Sequence, residues 1–61
     1  MNQQQELTTE TRWTDERGRV WRIVEKMPFG RNLCTTTDDG RKLVGEWTHN
    51  EIRAAIAKAE G

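Results

Sequence analysis

Cysteine, histidine, proline and tyrosine are nearly or wholly missing from this chain, and each shortage removes a class of protein. A single cysteine, Cys34, cannot close an internal disulfide. One cysteine and one histidine, His49, fall short of the four nitrogen and sulfur ligands of a structural zinc site. No apolar run exceeds four residues, at 54–57, so no membrane span is expected. Residues 1–11 carry neither a basic start nor an apolar stretch, so no signal peptide is expected there, and the chain reads as cytoplasmic. Net charge is also missing: ten cations meet ten carboxylates. With 61 residues, a domain buries only roughly 60% of its unfolded surface. Packing, oligomerisation or a partner must supply the remaining stability.

Charge is nevertheless uneven. Residues 12–31 hold Arg12, Arg17, Arg19, Arg22, Lys26 and Arg31 against Asp15, Glu16 and Glu25, an excess of three cations. Residues 1–11 are rich in Gln, Thr and Glu with only Leu7 to bury, and read as a flexible tail before a single domain at 12–61. From Arg12 the texture turns β-like. Trp13 and Thr14 open a short strand ended by Asp15-Glu16-Arg17-Gly18. Arg19 to Met27 is the longest strand signal, with Val20, Trp21, Ile23 and Val24. Pro28-Phe29-Gly30 interrupts it. Asn32 to Thr37 suits a third strand, and Asp38-Asp39-Gly40 a tight hairpin turn of the primed kind. Arg41 to Trp47 is the last strand.

A helix follows. Thr48-His49-Asn50-Glu51 fits a capping box, with Trp47 and Ile52 placed as a hydrophobic staple. Ile52, Ala55, Ile56 and Ala59 form one apolar face, and Gly61 is the stop. The expected fold is α+β: a three- to four-stranded antiparallel β-meander, open or curled into a small SH3-like barrel, with one C-terminal helix.

Alternation assigns the faces. Trp21, Ile23 and Met27 share one side of the long strand; Val20, Arg22, Val24 and Lys26 share the other. Trp21, Ile23, Leu33, Leu43 and Trp47 are expected beneath the helix, joined by Trp13 and closed by Ile52 and Ile56. The opposite side is mixed, with Val20, Val24 and Val44, and Cys34 beside them, among cations. Those valines fit a barrel, a second copy or a binding surface, although scattered exposed valines also need no explanation.

No catalytic constellation stands out, and no cofactor or metal is expected. His49 sits in the first helical turn, Cys34 has no neighbouring base, and Asp38 and Asp39 are turn formers. The glycines punctuate separate turns rather than building a phosphate loop. Trp13 and Trp21 read first as core anchors; the rival reading, with Arg12, Arg19 and Arg22 beside them, is base stacking on a nucleic acid. A three-stranded sheet followed by an amphipathic helix resembles, in layout, the sheet-reading DNA-binding domains of some integrases and plant transcription factors. Gly45-Glu46-Trp47-Thr48 leading to Glu51 and Ala54-Ala55 is similar to the strand-to-helix junction of the latter. The small, neutral chain without catalytic groups is also similar to accessory proteins of phages and mobile elements. The sequence therefore points to a small non-catalytic binding module. It would be a protein-interaction or inhibitor protein, or a homodimer joined across the valine face or along a strand edge. The alternative is a regulatory nucleic-acid binder using the basic strands at 12–31.

Overall fold

The computed structural model describes residues 6–61. Strands β1 (Arg12–Thr14), β2 (Val20–Met27), β3 (Arg31–Asp38) and β4 (Arg41–Thr48) form one antiparallel sheet in the order β1-β2-β3-β4, and helix α1 (His49–Glu60) lies on one face. The α+β meander with a C-terminal helix is as the sequence predicts. The SH3-like alternative does not hold: the sheet is neither closed nor strongly curled. β1 contributes three residues to the sheet and pairs with β2 alone. The inner face is covered by other means, chiefly by α1.

Two tight turns join the long strands. Asp39 and Gly40 have φ of 55° and 80°, the left-handed pair that primed hairpin turns demand. Phe29 and Gly30 do the same at 64° and 72°, with the Arg31 N–H donating to the Pro28 carbonyl at 3.4 Å.

The core is aromatic. Trp13 and Trp47 meet edge to face with centroids 5.6 Å apart, and Trp21 and Trp47 lie 5.4 Å apart. Ile23, Cys34 and Ile52 are fully buried with them, and Ile56 and Ala55 pack at the margin. Trp21 reaches across β3 to β4, where a Cβ on Gly45 would sit 3.5 Å from the ring edge. A strand glycine here gives a large ring a flat seat.

A bulge in β2 corrects the expected faces. Ile23 pairs with Cys34, but Glu25 pairs with Leu33, so Val24 is an extra residue without a partner. One extra residue exchanges the two faces for everything beyond it. Lys26 therefore turns to the helix side, opposite Asn32, and Met27 to the outer side, opposite Arg31. Leu33 likewise lies on the outer face, between Glu25 and Glu46. Cys34, expected beside the valines, is instead in the core.

Asn32 takes the inner position expected of Leu33 and is completely buried. Its Nδ2 donates to the Trp47 carbonyl at 3.0 Å and lies 3.0 Å from His49 Nδ1. The His49 N–H donates to the Gly30 carbonyl at 2.8 Å. The side chain thus ties β3 to the point where β4 becomes α1. The amide is bonded through its nitrogen alone: its Oδ1 is buried with no partner among the described residues.

The expected tail needs correction where it is described; residues 1–5 lie outside the described residues. Leu7 is 3% exposed and belongs to the core, Glu6 stands 3.9 Å from Lys26, and Thr8 to Thr11 form a turn. One leucine suffices because a one-helix cover leaves inner sheet surface for it to fill. Leu7→Ala should cost about 2 kcal/mol or more, read as a lower midpoint in urea unfolding. The capping box is complete: Thr48 Oγ1 accepts from the Glu51 N–H at 3.1 Å, and Glu51 accepts from the Thr48 N–H at 2.9 Å. Thr48→Ala should cost about 1 kcal/mol and lower the Tm by several degrees in a thermal melt.

Candidate functional site

The face of the sheet opposite α1 has no layer over it among the described residues. Register places its side chains in rows. Arg12, Arg22, Thr35 and Val44 form one row across all four strands, and Thr14, Val20, Thr37 and Lys42 lie beside it. Toward the β2–β3 turn come Glu25, Leu33 and Glu46, then Met27, Arg31 and Thr48. Val20, Val24 and Val44 are 55%, 45% and 63% exposed, as the sequence predicts. Val24 stands out because of the bulge.

The structure does not gather the basic residues into one patch of free cations. Arg19 is taken up by Asp15 at 2.7 Å and Asp38 at 3.4 Å. Arg31 pairs with Glu46 at 3.0 Å, and Lys26 has turned to the other face beside Glu6. Arg12 folds back to donate to the Thr9 and Thr11 carbonyls at 3.0 and 3.1 Å. Arg17 is exposed in the β1–β2 turn, its backbone N–H donating to Asp15 at 2.8 Å. Arg22 remains exposed on the outer face, joined there by Lys42, which sequence reasoning passed over. The tryptophans are unavailable for base stacking: Trp13 and Trp21 are 4% and 7% exposed, and Trp47 is half-buried against them.

Phe29 is the residue that sequence reasoning missed. It stands at the tip of the β2–β3 turn, 93% exposed, with φ of 64°. A bulky L-residue in the left-handed region is strained by about 1 kcal/mol or more. The available signal was Phe at a turn position where Asn would be ordinary.

Two groups that could suggest chemistry are structural instead. Burial pushes the Cys34 thiol up to about 11, and its Sγ donates to the Asn32 carbonyl at 3.5 Å, so the nucleophilic thiolate is suppressed. The open cleft between α1 and the sheet is floored by Trp21 and Trp47 and bordered by Asp15, Arg19 and Lys58. Asp15 is already saturated there. Its Oδ1 accepts from the Arg17 and Arg19 N–H groups at 2.8 and 3.0 Å; its Oδ2 accepts from Arg19 Nε and from Trp21 Nε1 at 2.7 and 2.9 Å. Lys58 crosses the cleft to Glu16 at 3.2 Å. Among the described residues no cluster of three metal-ligating side chains occurs, and no helix is long and apolar enough to cross a membrane.

Partial burial raises the Asp15 carboxyl, but the bonds from Trp21, Arg19 and Arg17 outweigh it and hold the group well below the usual carboxylate range. A depressed folded value stabilises the protein above the unfolded value of about 4, and that contribution fades as pH falls toward the folded one. Asp15→Asn should therefore be less stable than wild type at neutral pH, and the gap should narrow below about pH 4. Chemical denaturation across a pH series reads both effects.

No family model matches the chain, no curated protein matches its sequence, and no solved structure matches its fold.

Proposed function

We propose that this chain is a small non-catalytic protein-interaction module, suited to the cytoplasm by its buried free thiol. It would hold a partner protein by the tip of the β2–β3 hairpin and the adjoining outer face. The observation that carries this reading is Phe29, an exposed aromatic ring held at positive φ at a turn tip. Strain at a position where a polar residue would relax the chain needs an offsetting gain, and a ring inserted into an apolar pocket provides one. Met27 and Leu33 continue the apolar contact along the outer face, and the exposed Arg31–Glu46 pair at 3.0 Å supplies a polar rim. The nucleic-acid alternative is weakened by the same geometry, since Arg19, Lys26 and Arg31 are paired and the tryptophans lie in the core.

Phe29→Asn creates Asn-Gly at the turn, the pair best suited to its backbone. It should raise stability by about 0.5 kcal/mol or more while abolishing partner capture. The measurement is quantitative recovery from nuclease-treated lysate of the source organism, alongside a thermal melt. A protein retained by wild type and lost with Phe29→Asn supports the reading. Equal retention by both, or recovery that vanishes with nuclease, defeats it.

A further inference from the structure

The outer edge of β4 is open: among the described residues no strand pairs with it. It is also eight residues long, running from Arg41 to Thr48. Unpaired strand edges of that length tend to acquire a partner strand unless they are blocked by proline, a bulge or charge. β4 contains no proline, and its pairing with β3 runs from Asp38↔Arg41 to Arg31↔Thr48 without a register shift.

The backbone phase of this edge can be read from its neighbours. Thr35 Oγ1 donates to the Leu43 carbonyl at 2.9 Å, and Asn32 Nδ2 to the Trp47 carbonyl at 3.0 Å. The His49 N–H donates to the Gly30 carbonyl at 2.8 Å. The odd-numbered residues thus direct their backbone groups toward β3. Because these groups alternate along an antiparallel strand, those of Lys42, Val44 and Glu46 face outward. The same three side chains lie on the outer face of the sheet.

We infer that β4 pairs with β4 of a second copy, antiparallel and centred on Val44, giving a dimer with one continuous eight-stranded sheet. The sequence of the edge is complementary to itself in this register. Val44 meets Val44 on the two-fold axis, and Lys42 of each chain stands opposite Glu46 of the other. All three pairs use outward backbone groups, so about six main-chain hydrogen bonds would form. Sliding the chains by two residues either way sets Lys42 or Glu46 against Val44. A further such step opposes Lys42 with Lys42 or Glu46 with Glu46, which is repulsive. Charge therefore admits one register and discourages indiscriminate pairing. Lys42 has no carboxylate within ion-pair distance among the described residues, and Glu46 holds only Arg31. Val44, 63% exposed in the monomer, would be covered at the centre. This inference does not rest on the Phe29 reading, although Glu46 borders both surfaces.

The experiment is sedimentation equilibrium of the full chain over a wide concentration range, at low and high salt. Wild type should dimerise, more weakly at high salt. Lys42→Glu should weaken association by more than about tenfold, because two like-charge pairs replace two opposite ones. Mixing Lys42→Glu with Glu46→Lys should restore a heterodimer, since each new pair is again of opposite sign. Val44→Cys, changed at an exposed position, supplies a second readout: mild oxidation should link it to itself while leaving buried Cys34 unmodified. A wild type that stays monomeric throughout overturns the inference. So does a dimer that Lys42→Glu leaves intact, or a Val44→Cys variant that fails to cross-link.

Discussion

The β1–β2 turn closes on one carboxylate, and the core is arranged around what that carboxylate holds. Asp15 gathers two backbone N–H groups of its own turn, the Arg19 guanidinium and the Trp21 indole. Trp21 is thereby fixed as it lies over Gly45 and against Trp47, which in turn meets Trp13. A one-layer sheet with a 12-residue helix has little apolar material to cover its inner face. Three large rings in defined contact do much of what a thicker core does elsewhere. A polar clamp at their rim gives the rings orientation as well as burial.

The bulge at Val24 sets the chemistry of the outer surface. Without it Lys26 would extend a basic stripe beside Arg22, and Met27 would point under the helix. With it Lys26 leaves that face, and Met27 and Leu33 form an apolar stretch leading to the hairpin tip. On the outer face Arg22 and Lys42 consequently stand among Val20 and Val44 at one end, and Met27 and Leu33 among Glu25, Arg31 and Glu46 at the other. A phosphate backbone, whose regular charge calls for a continuous row of cations, finds no such row on this face.

Local preference and tertiary demand conflict in two places. Asn32 is polar and wholly buried, and the bonds it makes join β3 to the start of the helix. Its amide nitrogen serves that junction, while its Oδ1 is buried with no partner among the described residues. Phe29 is apolar, exposed and strained, and nothing among the described residues offsets that. The contrast separates a residue serving the fold from one that the fold does not explain.

Much of this architecture was legible in the sequence, because its signals act over a few residues. The Asp-Gly turn, the Thr48–Glu51 capping box, the helical period of Ile52, Ala55 and Ile56, and the alternation of Trp21 with Ile23 are local and were read correctly. The exposure of Val20, Val24 and Val44 followed from the same alternation. What failed depended on long-range pairing. A bulge leaves no mark in the period of a strand, so alternation misplaces Lys26 and Met27; Leu33 and Cys34 take their faces from the pairing of β3 with β4, which sets them opposite Glu46 and Gly45. The burial of Leu7 carries no local signal, because it depends on space left by a helix more than forty residues later. Which arginines stay free was also undecided, because Arg19 meets Asp38, and Arg31 meets Glu46, only across strands. Short-range order determined the elements; the register of β2 against β3 determined which side chains each face presents.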